Sequence, residues 1–422
     1  MAALASDVIT TPAFHALPLE SAQHRAIHDV LPKLVAAVSR AELATPGLAV
    51  GNAGQCLALA TWARHTRDDA LIGEVRHRAE RLVDTLAETA CAPALLDGVA
   101  GVIWALRHVV ALCDPTQPLP GDFSAAFDDA LLAQMHAPLR SEDYDLAGGL
   151  VGFGVYALEH PQPLVRDALV RAVVGRLGAH APHTSHGATW FTPPDRLLQH
   201  ELEDFPHGFH NLGLAHGVPG VIGFLARCVS EGYAAIATPL LDAAMHWLLR
   251  QRHMDRTSRF DNYLESPKPS RLAWCYGDPA IALVLWRAAQ ACGRQDWFDA
   301  ARDLTGACAI RRTHDGGVRD VGLCHGSAGL ALIFFRLWQR SGEAECADAS
   351  RFWLQHTLAS LDDSFPATAG CYTAIWKDNA FVRRAEAGFL SGTAGVLMTL
   401  LSLQAPTLRW DACLLTDTDA TP

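Results

Sequence analysis

A chain of 422 residues that is 50% apolar and only 19% charged carries enough apolar surface for a large core, which excludes a disordered protein. Its 34 basic and 45 acidic residues leave a formal net charge of −11, which excludes a nucleic-acid binder relying on a basic face. Eleven irregularly spaced cysteines make a poor disulfide framework, and no apolar run reaches the roughly 18 residues of a membrane span, the longest (329–335) being cut by Arg336.

Residues 1–20 lack the basic stretch followed by an apolar one that marks a secretory signal, so a reducing cytoplasm is expected, with cysteines free or metal-bound. An amphipathic stretch at 25–40 precedes the first copy of a short internal repeat. The repeat is a glycine, two residues and another small residue, leading into an apolar run: Gly51-Asn52-Ala53-Gly54. It recurs at Gly98-Val99-Ala100-Gly101, Gly149-Leu150-Val151-Gly152 and Gly217-Val218-Pro219-Gly220. A weaker fifth copy is Gly277-Asp278-Pro279-Ala280, followed by Gly326-Ser327-Ala328-Gly329 and Gly392-Thr393-Ala394-Gly395. The spacing, about 47 to 68 residues, is that of helical-pair repeats.

Apolar runs such as 102–112 and 330–337 read as buried helices. The more charged stretches 25–40, 74–88, 123–135, 163–177, 235–250, 295–311 and 343–361 read as outer helices with one wet face. The expected fold is all-α, a closed α/α toroid of seven inner and seven outer helices in a single domain, 1–422; an open solenoid is the other architecture with this pattern. Small residues at the repeat favour the toroid, because they let inner helices approach near the axis. Two intervals are swollen, 181–211 and 362–389, and the first, rich in Pro, His and aromatics, is expected to form an inserted lobe of loops and short strands on the rim.

Aligned on the first glycine, reactive residue types fall at equivalent places entering the inner helices. Cys275 and Tyr276 precede Gly277, Cys324 and His325 precede Gly326, His216 precedes Gly217, and Asp145 stands four before Gly149. In a toroid these loops converge on one mouth, where helix N-termini favour thiolates. Cys275, Cys324 and His325 offer two thiolates and an imidazole, three corners of a tetrahedron with the fourth open, the pattern of a catalytic rather than a structural zinc. The sulfur ligands suit a sulfur substrate, whose thiol pKa a bound zinc would lower.

At these residues the chain resembles the lantibiotic (lanthipeptide) synthetase C, or LanC-like, cyclase family. Ser270-Arg271-Leu272-Ala273-Trp274-Cys275-Tyr276-Gly277 is similar to its R-x-x-W-C-Y-G motif, and Leu323-Cys324-His325-Gly326 to its C-H-G motif. Leu214-Ala215-His216-Gly217-Val218-Pro219-Gly220 matches its A-H-G-x-x-G segment, and Tyr144-Asp145-Leu146 with Gly149 its aspartate-bearing repeat. The likeness extends over about 47–403, and Tyr276 gives it the bacterial, class I form, where eukaryotic members usually carry histidine. Segment 181–211 falls where a bacterial cyclase of this family has a small SH2-like lobe.

The resemblance implies a zinc-bearing toroid that closes thioether rings in a ribosomal precursor peptide. Cysteine thiolates add to dehydroalanine or dehydrobutyrine, giving lanthionine or methyllanthionine. The implied partners are the dehydrated precursor with its leader, a dehydratase and an exporter, with neither nucleic acid nor a membrane span; the implied place is the cytoplasm, or the membrane periphery through a biosynthetic complex. Segment 181–211 is the expected leader contact. His216 is the candidate acid for the α-carbon, its ordinary pKa near 6.5 suiting proton delivery at neutral pH. Asp145 orients His216 and raises its pKa, or takes the thiol proton. Arg271 stabilises the enolate or clamps a loop carbonyl; Tyr276 donates a hydrogen bond or packs, and Trp274 packs. Asp97 reads as a helix N-cap, His207 and His210 as residues of the variable segment, and the other nine cysteines as inert thiols.

Other readings are a thiol transferase of the prenyltransferase kind, which uses an Asp, Cys and His set; a LanC-like enzyme adding glutathione to dehydrated peptides; and a non-catalytic helical-repeat peptide-binding scaffold. A toroidal glycosidase needs two inward carboxylates, and Asp145 has no evident partner.

Overall fold

The computed structural model describes residues 16–116, 119, 123–138, 143–197, 199–405 and 408–418. The absence of a secretory signal at the N-terminus is an expectation on residues that lie mostly outside these. The helices in chain order are α1 (Ser21–Arg40), α2 (Asn52–Thr66), α3 (Asp69–Glu88), α4 (Val99–Cys113), α5 (Ala125–His136), α6 (Leu150–Leu158), α7 (Pro163–His180) and a short α8 (Gln199–Asp204). They continue as α9 (Val218–Cys228), α10 (Ala234–Leu249), α11 (Asp278–Cys292), α12 (Gln295–Ala309), a single turn α13 (Thr313–Gly316), α14 (Ser327–Ser341), α15 (Ala344–Ser360) and α16 (Thr393–Gln404). Three separate two-stranded antiparallel ladders complete the described chain: β1 (His183–Thr184) with β2 (Gly187–Ala188), β3 (Asp261–Tyr263) with β4 (Ser266–Pro269), and β5 (Tyr372–Lys377) with β6 (Ala380–Ala385). The fold is mostly helical and has no closed sheet among the described residues.

Each repeat glycine becomes the N-cap of a buried helix: Gly51, Gly98, Gly149, Gly217, Gly277, Gly326 and Gly392 open α2, α4, α6, α9, α11, α14 and α16. Those helices touch one another in that order, and α16 returns to α2. The amphipathic stretches lie against them, α3 on α2, α7 on α6, α10 on α9, α12 on α11, α15 on α14, and α1 on α16, while α5 packs on α7. Burial follows the patterning. Every residue of α9 is buried, whereas α3 buries only Leu71, Val75, Ala79 and Leu82, one stripe at helical spacing.

The loops entering these helices are stitched by backbone hydrogen bonds. Amide N–H groups donate from Ala49 to Leu96 O (2.7 Å), Leu96 to Ala147 O (3.0 Å), Leu146 to Ala215 O (3.1 Å) and Ala215 to Cys275 O (3.3 Å). The series continues from Cys275 to Cys324 O (3.3 Å), Cys324 to Leu390 O (2.9 Å) and Leu390 to Ala49 O (2.8 Å), back to its start. All these residues except Leu146 stand two before a repeat glycine. Such pairing satisfies loop amides that would otherwise be buried without partners, and it gathers seven distant stretches of chain at one end of the helices.

The second small residue of the repeat has a more local cause than helix contact near an axis. A Cβ on Gly329 would lie 1.9 Å from the carbonyl oxygen of Leu323, and one on Gly101 1.7 Å from that of Leu95, so each loop folds back onto its own helix start. The fifth copy carries Ala280 there and bends elsewhere: Gly277 has φ +112° and lies against the Arg271 carbonyl. Gly329→Ala is expected to destabilise the protein by about 1–3 kcal/mol through this overpacking; an unchanged urea midpoint would contradict the assignment.

The C-terminal stretch 408–418 packs inside this set of helices. Its 3-10 turn Trp410–Leu414 touches α6; Trp410 meets Phe389 edge-on at 5.4 Å, and the Trp274 indole N–H donates to Leu414 O at 2.9 Å. Arg287 and Arg336, each 1% exposed or less, hold it through Asp417 (2.6 Å) and Asp411 (2.8 and 2.9 Å).

By length and composition Val218–Leu249 would cross a membrane. The chain, however, turns at Glu231 and Gly232 (φ +97°), and the two halves, α9 and α10, pack on each other. Neither half is long enough to span a bilayer. Asp97 is not the helix cap expected of it. Gly98 holds that position without a side-chain cap, and the Asp97 carboxylate accepts from the Val50 amide instead; burial raises its pKa, that bond opposing.

Candidate metal centre

Stitching the loops brings together residues far apart in sequence. Cys275 precedes α11, Cys324 and His325 precede α14, and one donor atom from each lies within 4.8 Å of the others. It is the one group of three or more His, Cys, Asp or Glu side chains with metal-holding spacing among the described residues. All eleven cysteines are free thiols.

The electrostatics single out Cys275. Its pKa is lowered well below the ordinary thiol value, chiefly because the Cys324 S–H donates to it; burial opposes, and His325 and Arg271 assist. Cys324 is pushed up in turn, since its proton is held on Cys275 and burial adds to the effect. Burial is the largest cause that raises most other thiols, Cys56 to about 11 and Cys371 to about 12. His325 is raised to about 9: burial disfavours its charge, but Asp320 and Cys275 outweigh that. Its Nε2 sits 2.8 Å from Asp320 Oδ2, which leaves Nδ1 as the ring nitrogen for a metal.

A tetrahedral zinc, roughly 2.3 Å from sulfur and 2.0–2.1 Å from nitrogen, needs donors about 3.5–4 Å apart. Atoms already within 4.8 Å reach that by small side-chain rotations. Two soft sulfurs, an imidazole with its far nitrogen tied to a carboxylate, and no fourth protein donor in the cluster fit a zinc ion with an open position.

His216 and Asp145 meet beside this cluster. His216 Nδ1 is 2.6 Å from Asp145 Oδ2, and the other Asp145 oxygen accepts from the amides of Gly148 (2.8 Å) and Gly149 (3.0 Å). The carboxylate is therefore held by its own loop, and the imidazole, 46% exposed, keeps Nε2 outside that bond. Burial works against charge on His216, yet the bond and charge of Asp145, with Cys275 contributing, raise its pKa. A cavity of about 250 Å³ opens here, lined by Asp145, His216 and Tyr276 together with Phe191, Arg196 and Phe209 of segment 181–211.

Arg271 points its guanidinium at Cys275 Sγ (3.6 Å). The loop-carbonyl clamp considered for it is made instead by Arg311, which donates to Ser270 O (2.8 Å) and Asp315 O (2.9 Å). The Tyr276 oxygen is 2.9 Å from Asn211 Nδ2, which donates to it, and 3.1 Å from the Tyr263 hydroxyl. Trp274 is 2% exposed and packed, as expected. His210 pairs with Glu265 at 2.7 Å, and neither it nor His207 belongs to the cluster. Sequence reasoning missed Asp320, Asn211 and Tyr263, the residues that grip His325 and Tyr276.

A thiolate-imidazole cluster at the gathered ends of a ring of helix contacts, beside a His–Asp pair and a cavity, defines a candidate metal-dependent thiol site. The family model described as lanthionine synthetase C-like protein matches residues 121–415, and the chain belongs to that family. It is 24% identical over 201 residues to the nisin biosynthesis protein NisC of Lactococcus lactis subsp. lactis, covering 43% of this chain and 46% of that protein. The matched stretch thus spans about half the length of that relative. The solved structure of nisin cyclase superposes with a TM-score of 0.72 at 18% identity, over 94% of this chain and 98% of that one, a likeness of fold.

Proposed function

We propose that this protein is a zinc-dependent lanthipeptide cyclase, closing (methyl)lanthionine rings in a dehydrated precursor peptide. The observation that carries the reading is the cluster of Cys275, Cys324 and His325 within 4.8 Å, beside the His216–Asp145 pair. The proposed frame is a single-domain α/α toroid of seven inner and seven outer helices, supported by helix contacts that run from α2 round to α16 and back. Segment 181–211 is the proposed rim lobe, and its place in the cavity wall supports it as a peptide contact.

Cys275, Cys324 and His325 would hold the zinc, which when bound supplies a Lewis acid that lowers the pKa of an incoming cysteine thiol. The substrate sulfur adds to the β-carbon of a dehydro residue, and the π electrons move onto that residue's carbonyl oxygen. Arg271, whose guanidinium already faces sulfur, and the Tyr276 hydroxyl are the donors proposed for the enolate oxygen. His216 delivers a proton from Nε2 to the α-carbon while Asp145 holds Nδ1; the proton lost by the thiol restores it, so the addition is proton-neutral.

His216→Ala is expected to lower the cyclisation rate by about 10²–10⁴ while leaving the zinc content intact; equal loss of zinc would make His216 a ligand. Because Asp145 raises the His216 pKa, the protonated acid persists to higher pH in the wild type. Asp145→Asn should therefore move the alkaline limb of the pH–rate profile to lower pH. An unmoved limb would remove the pairing from the mechanism. Incubation of a cysteine-free dehydrated peptide with glutathione tests the glutathione-adding alternative.

A further inference from the structure

One position of the repeat carries a pattern that the quoted family motifs touch only at Arg271. It stands six residues before each capping glycine and is occupied by Thr45, Ala92, Asp143, Asn211, Arg271, Asp320 and Glu386. Its backbone is equivalent in six copies, where its carbonyl accepts from the first amide of the helix that follows: Thr45 from Asn52, Ala92 from Val99, Asp143 from Leu150, Asn211 from Val218, Asp320 from Ser327 and Glu386 from Thr393, at 2.8–3.1 Å. The loop is thus pinned to the helix start, and side chains at this position share one placement beside the mouth. The first two copies, which carry no candidate reactive residue, have Thr45 and Ala92. In three later copies the side chain touches one: Arg271 meets Cys275 Sγ at 3.6 Å, Asn211 donates to the Tyr276 oxygen at 2.9 Å, and Asp320 bonds His325 Nε2 at 2.8 Å, whereas Asp143 of the third copy faces Arg196 at 3.6 Å. Glu386, in the seventh copy, turns onto its own loop, accepting from the Ala387 and Gly388 amides.

We infer that this repeat position is the positioning layer of the site, and that Asp320 is the positioning residue that presents His325 Nδ1 to the metal. Asp320 is suited to the role because it is itself fixed. It is 3% exposed; Oδ1 accepts from the Gly322 amide at 3.2 Å, and Oδ2 accepts from the Ala374 amide of β5 at 3.1 Å as well as facing His325. A ring whose Nε2–H is given to a fixed carboxylate has one tautomer and one orientation, and its other nitrogen keeps the lone pair a metal needs. The role rests on the zinc reading above.

The test is zinc affinity, measured on the full-length protein by competition with a chromophoric chelator, with folding followed by circular dichroism. Asp320→Ala should bind zinc about 10–100-fold more weakly than the wild type, and Asp320→Asn should recover part of the loss. Thr45→Ala, at the same repeat position in a copy that carries no candidate reactive residue, should leave the affinity unchanged. Ala374→Pro removes one amide that anchors Asp320 but leaves the carboxylate on His325, so its loss of affinity should be smaller than that of Asp320→Ala. Equal affinity for Asp320→Ala and wild type would overturn the role while leaving the zinc reading intact. A loss in Thr45→Ala or Ala374→Pro as large as that in Asp320→Ala would overturn it too, by showing a general loosening of the loops. A wild type that binds no zinc would remove the metal reading and this role together.

Discussion

Cys275→Ala and Cys324→Ala should each reduce zinc from about one ion per chain to none and abolish ring closure. Each substitution removes one of only three donors, and the remaining Cys–His pair cannot hold a tetrahedral ion whose fourth position is kept for substrate. The two changes should differ in the apo protein. Cys275 is the thiol made acidic by the Cys324 S–H, His325 and Arg271, so its loss removes the most readily ionised sulfur. Cys324→Ala takes away the donated S–H and should shift the Cys275 pKa upward, visible as slower alkylation by iodoacetamide near neutral pH. Elemental analysis of the wild type and both variants is the direct measurement. Zinc absent from carefully purified wild type, or retained in both variants, would sink the thiolate-activation mechanism and favour the peptide-binding scaffold.

Asp417→Ala is expected to cost about 3–5 kcal/mol of stability, the usual consequence of removing one partner from a buried ion pair. Asp417 is fully buried, with one oxygen 2.6 Å from Arg287 and the other 2.9 Å from Arg409, and its loss leaves the buried Arg287 charge without this carboxylate. Burial alone would raise the Asp417 pKa, but Arg287, Arg227 and Arg409 outweigh it and hold the carboxyl far below the ordinary range. The folded-state value is depressed, so this contribution is present above about pH 4 and is lost as the pH falls toward the folded pKa. Urea unfolding at pH 7 and at pH 3 should therefore separate wild type from variant more at pH 7. A difference under about 1 kcal/mol at pH 7 would mean that 408–418 is not an integral part of the core. The segment also bears on the site, since Leu414 holds the Trp274 indole directly before Cys275.

Much of the helical frame was legible because it is written in local chemistry. The stretches expected as outer helices at 74–88, 163–177, 295–311 and 343–361 fall within or nearly on α3, α7, α12 and α15, since one apolar stripe per helix is a periodic signal. Six of the seven copies kept glycine at both small positions, because a Cβ would strike the loop's own carbonyl, and the fifth, with Ala280, was legible only as a weaker match. Cys275, Cys324, His325, His216 and Asp145 stood out through residue type at repeat-equivalent places. Asp97 misled: an acidic residue before a helix suggests a cap, yet the glycine took that position and the carboxylate turned to the neighbouring loop.

What the sequence determined by itself is therefore the set of parts: the repeat, the helices it opens, and the reactive side chains carried at their entrances. These depend on periodicity, on steric need for glycine and on side-chain chemistry, all readable within a few neighbouring residues. Only the tertiary structure decided which parts meet. The Ala215–Cys275–Cys324–Leu390 amide bonds, the grip of Asp320 on His325 and of Asn211 on Tyr276, and the burial of 408–418 beneath Trp274 join residues between five and 140 positions apart. Such contacts follow from closure of the helix contacts on themselves, which places loop against loop, and closure is a property of the packed whole rather than of any segment.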